Sequence, residues 1–424
     1  MSVKKFINGF VKRDGLSVLL STVLIKISGI VVSIVVVRLL PVNQYGDIAF
    51  ALYIINILTV FGGMGANWSL LRFGPILPSV SAKFQLFKYS VKKGIAYTIP
   101  LILIIIAGSF FLPANLKNSR TYLILLSFGI LSTFLYQLLQ SYFRIIGKNK
   151  IYSKSNVIGS LIMLVLSVVL SRFFHAIGYV IAVVLAPLIT YIFYRKHINF
   201  RKRELSNTPD KTFLTYGIYA SLGMIASQAT ISLGPVIGGF LNATSNDMAM
   251  FRVATIIPFN LLVFPLMIMT TDFVHFSKNS KNPVLLRSYY YQYLKTISAI
   301  TIIPFLMLLI FNQYILVFLF GVKYAGSSEM SFALVLGVFF SFLFRIPLGN
   351  ILAAVGKADW NMVHTIFWLI AFVPISIYSF YSWGMMGIAV SISCIFILSG
   401  FISLFLFFIF LRSIGHENIR TVNA

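Results

Sequence analysis

The sequence predicts an all-α integral membrane protein, with twelve transmembrane helices in two pseudo-symmetric six-helix lobes around a central cavity. Three observations predict it. Apolar residues make up 59% of the 424 and charged residues 10%, with a mean hydropathy of +0.93; a soluble surface needs about 25% charged residues. Apolar runs recur at spanning length. The charge, 34 Lys+Arg against 9 Asp+Glu for a net of +25, falls mostly to one side of those runs. In a soluble chain such a charge points to nucleic acid. Here its placement assigns it to membrane topology and surface anchoring, and no nucleic-acid partner is expected.

A spanning helix needs roughly 20 mostly apolar residues. Runs of this kind fall at roughly 16–37, 48–70, 94–113, 121–143, 155–171 and 177–194. Six more follow at roughly 213–236, 248–271, 295–312, 329–350, 361–381 and 387–411. They are continuous rather than alternating, which favours helices over a β-barrel. The basic segment Met1–Gly15 enters the first run without an A-x-A-type cleavage site, so that run reads as an anchor and not a removed signal. With the N-terminus cytoplasmic, 27 of the 34 cations lie in cytoplasmic segments or adjoining helix ends. Only Arg38, Lys117, Arg120, Arg172 and Lys323 lie outside. This is the positive-inside pattern, with both termini cytoplasmic. The longest polar stretch, Arg195–Lys211, is central and reads as a solvated linker held at the anionic leaflet. The chain thus divides into an N-terminal lobe (1–194), a cytoplasmic basic linker (195–212) and a C-terminal lobe (213–424).

The two lobes look related. Gly147-Lys148 follows the fourth span and Gly356-Lys357 the tenth; Gly178 opens the sixth span and Gly387 the twelfth. Both pairs are offset by 209 positions. Asp47-Ile-Ala-Phe and Asp247-Met-Ala-Met, at the starts of spans two and eight, are offset by 200. Equivalent positions after an even number of helices imply a parallel repeat about an axis along the membrane normal.

Catalytic chemistry finds little support. Neither Gly-Lys pair is followed by Ser or Thr, so the phosphate-cradling P-loop is absent. The five His residues are scattered without metal-ligand spacing. No outer loop is large or carries paired carboxylates. We expect no catalytic residue, no metal and no cofactor. Cys394 excludes an intrachain disulfide by being alone, and its apolar run suggests a buried structural thiol.

Binding chemistry is better represented. The nine acids all lie at helix ends or in loops, whereas a proton or sodium relay usually uses a carboxylate deep in the bilayer. Helix capping is the expected role of Asp47, Asp247 and Asp272. Lys26, by contrast, stands near the middle of the first span, where an ammonium costs several kcal/mol unless paired or in a watery cavity. Thr22, Gly29 and Ser33 lie on its helical face, so the stripe is expected to line a cavity, with an anionic substrate as counter-ion; pairing with backbone carbonyls at a kink is the other reading. Arg252, one turn into span eight, and Arg38, at the outer end of span one, join the same candidate set or anchor the helices at the interface. Arg72 and Arg345 read first as interfacial anchors. In span seven, Ser221, Gln228 and Ser232 share a face, and Gly234-Pro235 can break the helix. A gate and close packing through Gly234-x-x-x-Gly238 are both open. Asn56, Asn67 and Trp68 of span two are candidates for lining a pathway, and Tyr289, Tyr290, Tyr291 and Tyr293 for an interfacial belt.

The segment Arg38–Phe73 resembles the polysaccharide flippases of bacterial O-antigen and capsule synthesis. Their R-x-L-x-x-x-x-Y-G element is matched by Arg38, Leu40, Tyr45 and Gly46, and the Gly-Lys hairpins also fit. The family belongs to the multidrug/oligosaccharidyl-lipid/polysaccharide exporter superfamily, whose two lobes form a V around a central cavity. The resemblance implies translocation of an undecaprenyl-diphosphate-linked oligosaccharide, such as an O-antigen repeat unit for lipopolysaccharide, from the cytoplasmic to the outer leaflet of the bacterial inner membrane. It also implies a polysaccharide polymerase and a chain-length regulator as partners, besides membrane lipids. The family's cationic cavity is matched by Lys26 and Arg252. An ion-coupled drug antiporter of the same fold would need an embedded acid that this chain lacks. A major-facilitator transporter would carry a G-x-x-x-D-R-x-G-R/K element where this chain reads RFGPILPSVSAK. A glycosyltransferase or polymerase would need acids on an outer loop.

Overall fold

A computed structural model describes residues 15–198 and 211–422, which are helical with no strand among them. Met1–Asp14 and most of the basic linker lie outside the described residues. In chain order the helices are α1 Gly15–Leu39, α2 Val42–Leu58, α3 Ala66–Phe73, α4 Val80–Gly108, α5 Ser119–Ile145, α6 Asn149–Arg195 and α7 Lys211–Phe240. They continue as α8 Ser245–Leu261, α9 Val263–Lys278, α10 Pro283–Ile310, α11 Asn312–Phe320, α12 Ser328–Phe340, α13 Ile346–Ala354 and α14 Ala358–Val422. Among the described residues nine stretches are long and apolar enough to cross a membrane. Large apolar side chains such as Phe111 (82% exposed) and Phe318 (77%) face outward, as a lipid-facing surface requires.

Two of those stretches double back on themselves. α6 leaves helical geometry at His175 (φ 49, ψ −129), and α14 at Trp383 and Gly384 (φ 57, ψ −140). A Cβ on Gly178 would stand 1.9 Å from the Leu170 carbonyl oxygen, and one on Gly387 2.0 Å from that of Ser379. Residues eight apart in a straight helix are separated by about 12 Å, so each stretch is a tight helical hairpin. The runs predicted at 155–171 and 177–194 are the two arms of α6, and those at 361–381 and 387–411 lie in α14. His175 and Gly384, Leu170 and Ser379, and Gly178 and Gly387 are each 209 positions apart.

The Gly-Lys turns obey the same offset. Gly147 and Gly356 take φ of 74 and 91. Lys148 N–H donates to the Phe143 carbonyl (2.9 Å) and Lys357 N–H to that of Leu352 (2.8 Å). These are 6→1 helix-terminating bonds, for which a left-handed glycine is the natural residue.

The chain forms two compact units, Met1–Phe240 with Thr244–Asn246, and Leu241–Ala243 with Asp247–Ala424. α7 packs within the first. Ser69 Oγ donates to the Phe213 carbonyl (2.6 Å), and a Cβ on Gly217 would stand 2.8 Å from the Met64 oxygen. Leu70, Leu138, Tyr142 and Phe143 lie in one buried apolar cluster of that unit. Leu286, Tyr290, Ile351 and Phe407 lie in one of the second.

Five local expectations change. Asp272 lies inside α9, where it accepts from Tyr289 Oη, rather than at a helix end. Cys394 is exposed, not buried, because an apolar run alone does not separate a lipid-facing side from a packed one. Asp47 caps no helix end of its own: it is buried inside α2 and accepts from Ser245 Oγ (2.5 Å), tying α2 to the start of α8. Tyr290 and Tyr293 are buried rather than interfacial, whereas Tyr291 is exposed. Arg345 does not sit at a helix end. Ser341–Arg345 form a π-helical turn, and α13 carries the helix on to Ala354.

Candidate functional site

The site in the first unit begins with a broken helix. After α2 the sequence TVFGGMG cannot continue regular helix: Gly62 turns out at ψ 121, and Gly63 (φ 67), Met64 (φ 48) and Gly65 (φ 69) are left-handed. A non-glycine residue there costs roughly 1–2 kcal/mol, so Met64 is held by its surroundings. Gly63 N–H donates to Thr98 Oγ1 (2.9 Å), whose own hydroxyl donates to the Gly94 carbonyl (2.7 Å). A Cβ on Gly63 would stand 2.0 Å from the Phe134 ring. The break therefore lies tight against α4 and α5.

Beside it lies a pocket of about 390 Å³. Asn56, Thr59, Val60 and Gly62 line it from α2 and the break, and Asn67, Trp68 and Leu71 from α3. α5 contributes Gln137, Gln140, Ser141 and Arg144, α6 contributes Tyr152, and α7 contributes Gln228. The α5 set is spaced i, i+3, i+4, i+7, one helical stripe.

Hydrogen bonds hold part of this lining. Gln140 Nε2 donates to Asn156 Oδ1, which also accepts from Tyr136 Oη (3.2 Å). Tyr136 Oη is also 3.1 Å from the Ser155 carbonyl. Gln228 Nε2 donates to Ser232 Oγ (3.2 Å). The Arg144 guanidinium lies over the Tyr152 ring, 5.7 Å from its centre, a cation–π arrangement. No carboxylate lines the pocket, and among the described residues no group of three His, Cys, Asp or Glu is placed to hold a metal. Five amide side chains both donate and accept, which matches hydroxyl groups. Trp68 and Tyr152 offer aromatic faces, and Arg144 a single positive charge. Together these groups suit binding of a polar, hydroxyl-bearing ligand.

Asn56 and Gln228 line the pocket, as do Asn67 and Trp68. Lys26 does not. It is exposed on α1, with Thr22 and Ser33 half-buried on the same stripe and open space around Gly29. Ser33 Oγ donates to the Gly29 carbonyl (2.9 Å). Arg38 is exposed in the last turn of α1, and Arg252 is half-buried in α8, in the second unit. Ser221 is buried against Gly65, and its hydroxyl has no hydrogen-bond partner among the described residues. Gly234 and Pro235 are buried, and α7 runs on past them to Phe240. Sequence reasoning missed the α5 stripe and Tyr152, although the segment YQLLQSYFR carries its amides and arginine at helical spacing.

The sequence matches the family described as "Polysaccharide biosynthesis protein" over residues 11–280. No curated protein matches it. Among solved structures, an inward-facing multidrug resistance MATE family transporter of the MOP superfamily is similar, with a TM-score of 0.73 at 14% identity, covering 92% of this chain and 96% of that one. The lipid II flippase MurJ in an inward closed conformation is similar at a TM-score of 0.74 and 14% identity, covering 95% and 90%. A MOP superfamily transporter from Pyrococcus furiosus, described as having a binding pocket of reverse polarity, gives 0.62 at 15% identity, covering 96% of both. At these identities the likeness is one of fold.

Proposed function

Because this chain belongs to the polysaccharide biosynthesis protein family, we propose that it is a flippase for an undecaprenyl-diphosphate-linked oligosaccharide. It would move an O-antigen or similar repeat unit from the cytoplasmic to the outer leaflet of a bacterial inner membrane. The observation that carries this reading is the acid-free pocket beside the α2 break. Its amides suit sugar hydroxyls, its aromatic faces suit sugar rings, and Arg144 suits the phosphate end. Lys26 supplies a further cation on α1, and its stripe with Thr22 and Ser33 is the proposed path for the head group, with Arg38 and Arg252 as further cations. The lipid tail remains in the bilayer. Two six-helix lobes alternate access, both termini cytoplasmic, and the product passes to a polysaccharide polymerase working with a chain-length regulator. Gly234 and Pro235 are the proposed gate in α7, with Ser221 and Gln228 as substrate-facing polar groups of the same helix.

Lys26→Ala is expected to abolish surface polysaccharide at normal protein level; undiminished polysaccharide refutes the role of Lys26. Reconstitution addresses the function itself. Proteoliposomes holding the purified protein should expose lipid-linked oligosaccharide added on the opposite leaflet. Elongation of that glycan by the purified protein would instead support a polymerase, and ion-driven efflux of a soluble drug an antiporter.

A further inference from the structure

The second unit holds a cation that the proposed route does not use. At Ser341–Arg345 the helix widens into a π turn, a feature frequent at functional sites because it re-aims side chains and frees carbonyls. Tyr293 Oη donates to the Phe342 carbonyl (2.9 Å), and Tyr290 Oη is 3.4 Å from that of Leu343. The turn delivers Arg345 to α14. There Nη1 donates to Asn361 Oδ1 (2.8 Å) and Nη2 to Thr365 Oγ1 (2.6 Å). Gly349 leaves the space the guanidinium occupies: a Cβ on it would stand 2.7 Å from Nη1.

Four facts make this more than a structural clasp. The nine residues of α13 separate Arg345 from the following turn, roughly 14 Å of helix, so the charge stands inside the apolar stretch Val322–Ala354, a candidate span in which a charge is costly. Its hydrogen-bond partners are neutral, and among the described residues no carboxylate pairs with it. These two bonds use two of the five guanidinium N–H groups. Arg345 and Asn361 are half-buried, not sealed. The surrounding polar atoms also favour an acceptor. The Asn361 amide keeps its Nδ2 donors. His364, 6% exposed, takes the Trp368 Nε1–H on Nε2 (2.9 Å), which leaves the proton of the neutral ring on Nδ1. A planar fork with spare donors, backed by neutral groups, is the arrangement that takes tetrahedral oxyanions in bidentate fashion.

We propose that Arg345, with Asn361, Thr365 and His364, is a second oxyanion site that takes the diphosphate of a polyprenyl-linked substrate. It rests on the lipid-linked reading above and deepens it, adding Arg345 to the cations proposed for that head group. A free phosphate-type anion offers the same chemistry, and the test separates the two sources.

Binding is measured on the full-length protein carrying both Lys26→Ala and Arg144→Gln in nanodiscs of zwitterionic lipid, so that neither the α1 cation nor the pocket arginine contributes. The probes are farnesyl diphosphate, inorganic diphosphate and farnesol, with quenching of Trp368 beside His364 as the signal and Trp368→Phe as its control. Farnesyl diphosphate is expected to bind, farnesol not, and addition of Arg345→Gln should weaken binding at least tenfold, with Arg345→Lys retaining part. Equal binding by the Arg345→Gln protein overturns the site. Inorganic diphosphate binding without farnesyl diphosphate binding overturns the lipid assignment. If Arg345→Gln does not fold, Thr365→Val keeps the cation and removes an acceptor that aims it; weaker binding supports the site and unchanged binding overturns it. Loss of all binding in the Lys26→Ala, Arg144→Gln protein alone, with binding intact in the wild type, overturns this second site and leaves the flippase reading standing. Absence of binding in the wild type removes both.

Discussion

Tyr136 and Arg345 stand 209 positions apart, and so do Asn156 and Thr365, the side chains they bond across to the next helix. The pair Gln140 and Gly349, and the pair Tyr152 and Asn361, keep the same offset. One place in the repeat is therefore built twice in different chemistry. In the first unit a phenol and an amide converge on one amide oxygen, and the group is neutral. In the second a guanidinium fills the space that glycine vacates and leaves donors over. The difference teaches that a clasp between two helices is present in both units while its charge is not: neutral in the first, positive in the second.

The comparison breaks most completely if the shared hairpins are not equivalent. Gly178→Val and Gly387→Val each drive a side chain into a backbone carbonyl about which the chain turns. Both are expected to abolish folded protein, read as loss of the monodisperse peak on size exclusion; survival of either would separate the two units. Exchange of the central residues comes next. Tyr136→Arg places a cation where Gln140 leaves no cleared space, and an unpaired buried charge costs several kcal/mol. A strong fall in thermal stability is expected, whereas Arg345→Tyr should fold and lose diphosphate binding at least tenfold. Gly349→Ala is milder, since the far end of an arginine yields; a several-fold loss of diphosphate affinity with unchanged melting is the expected result. Smallest is Tyr136→Phe, which removes one hydrogen bond worth about 1 kcal/mol and should lower the melting temperature by a few degrees without touching transport.

Much of this was legible. The apolar runs fall within helices, and the Gly-Lys turns and Gly178 and Gly387 fall at chain reversals, because these features report on local backbone geometry. Asn56 and Gln228 reached the pocket for the same reason: a polar side chain in an apolar run needs a polar neighbour. What escaped depended on three dimensions. Arg345 read as an interfacial anchor because a π turn has no signature in the sequence, and neither has the packing that brings Arg345 to Asn361 and Thr365. The glycines of FGGMG mark a break, but only the contact with Thr98 and Phe134 shows where the freed groups go. Cys394 read as buried because hydropathy is blind to which side of a helix meets lipid.

The hairpins at His175 and Gly384 bear on biogenesis. Each reverses the chain within a few residues, with backbone touching backbone at Gly178 and Gly387, so no polar loop separates the arms. A translocon meeting either segment has almost no hydrophilic tail to thread across between them. With so short a connection, each pair of arms is expected to enter the bilayer together, as one helical hairpin.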